Sequence, residues 1–86
     1  MAKRSGGEWF IATENADPSR SVNRSMFAYR RGAKAAITQA EIMAADYGAT
    51  LITVSHDGRQ AGVFTGALWV QITDPVLARA IEAREQ

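Results

Sequence analysis

The sequence predicts an α+β fold: an antiparallel sheet of about four strands, one long helix across one face, and a short C-terminal helix, in the order β-β-α-β-β-α. Three local signals between Gly32 and Thr65 carry that expectation: an amphipathic helix, the glycine that stops it, and a tight hairpin. Ala33, Ala36, Ile37, Ala40, Met43, Ala44 and Tyr47 recur at intervals of three and four and fall on one stripe of a 3.6-residue helix. Lys34, Thr38, Glu41 and Asp46 fall largely on the other side. The alanines favour the helical backbone and let it approach a sheet closely. Gly48 stands just past the last periodic residue, where a left-handed conformation satisfies the final carbonyls. Ala49 to Ser55 is rich in β-branched residues, and Asp57-Gly58 is the two-residue turn that suits the twist of paired strands.

The remaining elements follow in chain order. Residues 1–7 form a flexible tail ahead of a single domain, 8–86, because Ser5, Gly6 and Gly7 offer nothing to anchor. Glu8 to Glu14 reads as a strand with apolar groups on both faces, through Trp9, Phe10 and Ile11. Asn15 to Ser25 is dense in Asn, Asp, Pro, Ser and Arg and reads as loop. Ser25 to Arg31 is a second strand, with Phe27, Tyr29 and Arg31 on one side and Met26, Ala28 and Arg30 on the other. After the hairpin, Gln60 to Thr73 reads as one strand bent at Gly66, with two strands and a turn at Thr65-Gly66 as the alternative. Asp74 and Pro75 supply an N-cap and a first helical residue, and Val76, Leu77, Ala80 and Ile81 give the last helix an apolar edge.

Composition bounds the function. The chain has 86 residues and no cysteine, which leaves one modest core without disulfides or thiolate metal sites. No segment approaches the ~20 apolar residues needed to span a bilayer, and no signal-peptide pattern follows Lys3 and Arg4, so cytoplasmic residence is the default. Asn23-Arg24-Ser25 matches a glycosylation acceptor, a pattern with no secretory context here. A net charge of +1 excludes imitation of a nucleic acid, which needs a large excess of carboxylates. The positive charge is concentrated in residues 1–31, with six Lys/Arg against Glu8, Glu14 and Asp17.

Two features point toward binding. Both sheet faces carry large apolar residues, and one long helix covers only one of them; the other is left for the C-terminal helix, a second copy of the chain, or a different protein. An open face bearing Trp9 or Trp69 would dock a partner, since buried aromatic anchors carry much of an interface's energy. The second feature is the basic segment, in which Arg20, Arg24, Arg30, Arg31 and Lys34 stand with Phe27 and Tyr29 around the start of the helix, where free amides and the macrodipole favour an anion. The plainer reading pairs Arg30 and Arg31 with Glu8 or Glu14 across the strands.

Catalytic signals are thin. Ser55, His56 and Asp57 are adjacent at a turn, where neighbouring side chains diverge instead of forming a relay. One histidine beside scattered acids makes no zinc site. No enzyme activity, cofactor or metal is therefore expected.

The stretch GAKAAITQAEIMAADYGATLITV, followed by the DGR turn, resembles the helix-glycine-strand segment of very small α+β proteins encoded by phages and prophages, among them anti-CRISPR inhibitors. The resemblance covers Gly32 to about Phe64 and carries over no functional residue. It implies a protein that blocks a host machine by occupying a surface. The expected function is thus a non-enzymatic binding protein that inhibits or modulates a host protein or ribonucleoprotein. Direct nucleic-acid binding through Arg20 to Lys34 and self-assembly, as in a homodimer, are the alternatives.

Overall fold

The computed structural model describes residues 8–20 and 24–84; the expected tail at residues 1–7 lies outside them. Strands β1 (Trp9–Thr13) and β2 (Met26–Arg30) precede helix α1 (Ala33–Tyr47); β3 (Ile52–His56), β4 (Arg59–Phe64) and β5 (Trp69–Val70) follow, and α2 (Pro75–Arg84) ends the fold. The strands form one antiparallel sheet in the order β2-β1-β3-β4-β5. The fold is α+β with five strands, one more than the four expected.

The extra strand comes from the segment read as one bent strand. Residues 60–73 instead break at a turn, in which the Thr65 amide donates to the Leu68 carbonyl at 2.9 Å and the Leu68 amide donates to Thr65 Oγ1 at 3.1 Å. Chain reversal at Gly66 lets β5 pair back on β4, with Val63 opposite Val70 and Phe64 opposite Trp69. That recovers ladder hydrogen bonds that a single bent strand would leave to solvent.

The helix and hairpin form where the spacing places them. Ala33, Ala36, Ile37, Ala40 and Met43 are buried. Gly48 adopts φ 67° and ψ 20°, and the amides of Gly48 and Ala49 close on the carbonyls of Ala44 and Met43, each at 3.1 Å. A Cβ at this position would be strained by the backbone and would meet Asp17 Cβ at 3.0 Å. Asp57 and Gly58 both have positive φ, which marks a primed type I turn between His56 and Arg59. The same turn staples the start of β1: the Asp57 amide donates to the Glu8 carbonyl and the Glu8 amide to Asp57 Oδ1, both at 2.8 Å.

One side of the sheet holds the core. Trp9, Ile11, Ile52 and Val54 point toward α1, and Ile37, Met43 and Leu77 complete the fully buried set. Helix α2 packs on this same side. A β-bulge at Val54/Ser55 frees the Ala61 carbonyl, which accepts the amides of Thr73 at 2.8 Å and Asp74 at 3.4 Å. The chain is thereby laid against β4, and Leu77 settles over Gly62 so closely that a Cβ there would lie 2.8 Å from Leu77 Cδ2. Asp74 caps α2 as expected, accepting the amides of Val76 at 2.8 Å and Leu77 at 3.1 Å. An ion pair between Arg84 and Glu41 ties the far end of α2 to α1.

Replacing Leu77 with Ala removes the side chain that seats α2 and leaves a cavity above Gly62. The expected loss is about 2–5 kcal/mol of unfolding free energy, read as a lower urea midpoint for L77A; a midpoint within error of wild type would show that α2 is held by other contacts.

Candidate docking face and its basic edge

The alternation of side chains along the strands decides what lies opposite the core. On the outer side Tyr29 stands opposite Phe10 and Phe27 opposite Ala12; Phe10 and Ala12 face Ser55 and Thr53, and Val63 and Val70 extend the row. Neither helix covers this surface. Phe27 is 66% exposed and Tyr29 55%. Phe10, Phe27 and Tyr29 lean on one another, with ring centroids 5.0 to 6.1 Å apart. The middle of the face carries no ionisable side chain other than the Tyr29 phenol, and the charges sit at its rim. A hollow of about 360 Å³ opens beside the cluster, lined by Glu8, Phe10, Tyr29, Ser55, Asp57 and Gly58. A larger one of about 540 Å³, beneath the end of α1, has Phe64 and small residues for walls and Glu41 as its ionisable group.

The tryptophans stand elsewhere. Trp9, expected at a docking surface, is fully buried on the core side. Trp69, also expected there, is half-buried; the β4–β5 turn puts it beside Phe64 on the helix side, ring centroids 4.8 Å apart. In both cases the strand phase turns the indole inward. Alternation from Phe27 and Tyr29 marks the open face more directly than aromatic size does.

The basic residues form a line rather than a cluster. Arg20 lies near the C-terminal end of α1, donating to the Ala45 carbonyl at 3.2 Å and standing 4.0 Å from Asp17 Oδ2, so it is far from the helix start where it was expected. Arg24 precedes β2. Arg30 folds over to the α1 side, donating to Gln39 Oε1 and to the Tyr29 carbonyl, each at 2.6 Å. Arg31 and Lys34 are exposed past the end of β2. The side chains of Arg24, Arg31 and Lys34 have no hydrogen-bond or ion-pair partner among the described residues, so the expected pairing with Glu8 or Glu14 does not engage Arg31. Arg30 and Arg31, with Glu8 and Tyr29, border a hollow of about 360 Å³. Gly32 leads into α1 without a side-chain cap or an acidic residue in the first turn.

His56 has a role that its place in the sequence conceals. Its ring stacks on Trp9, centroids 3.9 Å apart and planes within 9°. Its Nδ1 donates to Asp74 Oδ2 at 2.7 Å, and Asp57 Oδ2 lies 3.7 Å from Nε2. Trp9 Nε1 is buried without a hydrogen-bond partner among the described residues, an unfavourable term that the stack helps offset. His56 thus joins the end of β3, the core tryptophan and the cap of α2. The 18-residue separation of His56 and Asp74 is set by the bulge, a tertiary feature with no signal in local spacing. No group of three or more His, Cys, Asp or Glu among the described residues is placed to hold a metal ion, and no helix among them is long and apolar enough to cross a membrane.

Asp74 is pulled in two directions. Burial raises its pKa, but the His56 hydrogen bond, the Leu77 and Val76 amides and the His56 charge together outweigh burial and hold the carboxyl below its ordinary value. A depressed folded-state value means that the carboxylate stabilises the fold above the unfolded value, about 4, and that this contribution is lost as pH falls through the lowered one. Asp74→Ala should therefore lower stability near neutral pH by about 1–3 kcal/mol, combining a lost cap with a lost charged hydrogen bond. The gap between variant and wild type should close below about pH 4. Thermal melts across pH check this, and a pH-independent difference would remove the charge from the account.

No protein-family model matches the chain, and no curated protein or solved structure is significantly similar to it.

Proposed function

We propose that the protein is a non-enzymatic binding module that docks on a protein or ribonucleoprotein through the open face of its sheet and inhibits or modulates that partner. The observation that supports this reading is the cluster of Phe10, Phe27 and Tyr29, left uncovered because both helices pack on the other side. Its composition matches the centre of a protein interface: aromatic anchors, small and hydroxyl side chains between them, and charge confined to the rim. Burying Phe27 alone against a partner removes enough apolar area to contribute on the order of 1.5–3 kcal/mol. Direct nucleic-acid binding is the second reading, favoured by the three unpartnered cations Arg24, Arg31 and Lys34.

Salt separates the two readings, since contacts to phosphates weaken steeply with ionic strength and an aromatic interface does not. With the protein immobilised and a lysate of the native host as the source of partner, wild type should retain its partner through a high-salt wash. The Phe27→Ala and Tyr29→Ala variants should lose at least tenfold in capture with little change in melting temperature, because both side chains are largely exposed. Unchanged capture by both variants would overturn the docking-face reading. Salt-labile retention of nucleic acid, abolished by replacing Arg24, Arg31 and Lys34 with Ala, would establish the second.

A further inference from the structure

We infer that the outer edge of β2 takes up an extended, acidic segment of a partner protein as a sixth strand; this deepens the docking-face reading and rests on it. Among the described residues the edge is open: β2 ends the sheet, and β1 on its inner side is the strand it pairs with. Phe27 and Tyr29 therefore direct amide and carbonyl groups outward; the Tyr29 carbonyl accepts from Arg30 Nη1 at 2.6 Å, a side-chain contact that an added strand replaces while it satisfies both kinds of group in register. A phosphate backbone accepts hydrogen bonds but donates none to the carbonyls, so a peptide fits this edge better than a nucleic acid does.

Charge selects the partner's chemistry. Arg24 stands ahead of the strand and Arg31 and Lys34 beyond it, their side chains exposed and without a partner among the described residues; neither β2 nor the first turn of α1 holds an acid, and Glu8, on β1's side, is the acid that borders the hollow beside Arg31. At ~3.3 Å per residue the two arginines are roughly 20 Å apart along the edge. A second copy of β2 would bring this positive line against itself. A strand with acidic residues at both ends and β-branched residues between them complements it. It also extends the sheet alongside Phe27 and Tyr29, so edge and face make one continuous surface.

The probe is the capped peptide Glu-Glu-Thr-Val-Thr-Val-Thr-Glu-Glu, fluorescently labelled and titrated with the full chain, together with a version carrying Lys in place of Glu. Two further versions carry N-methyl groups on alternate backbone nitrogens, in opposite phases. Strand addition predicts that the acidic peptide binds and the lysine peptide does not, that one methylated phase loses binding while the other keeps it, and that amide exchange slows across residues 26–30. The double variant Arg24→Glu, Arg31→Glu should reverse the preference between the two peptides at least tenfold. Absence of binding up to roughly 1 mM peptide would overturn the inference. Equal binding of both methylated phases would do so as well, by reducing the contact to charge alone, as would preference for a 15-nucleotide thymidine oligomer over the peptide. Should the edge fail in this way while Phe27→Ala still abolishes partner capture, the docking face stands without it; phase-selective peptide binding with capture unaffected by Phe27→Ala and Tyr29→Ala overturns the face instead.

Discussion

The contact between Leu77 and Gly62 governs the architecture. A five-stranded sheet with apolar residues on both sides and two helices has two ways to arrange its layers: one helix on each face, or both on the same one. Glycine at position 62 removes the side chain that would hold α2 away, and Leu77 fills the space. The bulge beside it turns the Ala61 carbonyl toward the incoming chain, and Asp74 begins the helix at the point where His56 can hold it. Once α2 lies beside α1, the opposite face has nothing left in the described chain to cover it. Its exposure is a consequence of packing on the far side, and the aromatic cluster inherits its accessibility from a leucine that never touches it.

The parts of the fold legible in the sequence are those set by short-range physics. Alanine spacing from Ala33 to Tyr47, a glycine free to take positive φ at position 48, the Asp57-Gly58 turn and the Asp74-Pro75 cap each act within a few residues, and each recurs in the structure at the expected place. The division of β4 from β5 is the alternative the sequence offers with a turn at Thr65-Gly66; it ranks second there because Thr65 and Leu68, which close the turn, are not strong turn formers and a glycine within a strand fits a bend as well as a reversal. The choice of face for α2 depends on an encounter between residues fifteen apart in sequence and on a bulge, and local pattern carries neither.

The candidate site shows the same division. Phe27 and Tyr29 alternate with Met26 and Ala28, and that period puts them on one shared side from sequence alone; that this side is the open one follows from where the helices pack. Trp9 and Trp69 are the sequence's candidate anchors for an open face, yet in a small core the largest side chains offer the most buried area per residue ordered, and both indoles lie on the helix side, Trp9 fully buried and Trp69 half-buried. The basic segment read as a cluster becomes a line once β2 is extended, because the five-residue strand holds Arg24 and Arg31 apart where the same span of helix would have stacked them within two turns. Arg20, beyond the loop, goes to the other end of α1 altogether.

The sheet's two margins are unequal. β2 is five residues long, while β5 is two residues long and ends at Val70, after which the positive φ of Gln71 carries the chain away. Hydrogen-bonded growth therefore has one productive direction. Strand addition at β2, as proposed, would then leave no comparable margin on the opposite side to receive a further strand, and a complex formed that way would close on itself instead of propagating into a fibre.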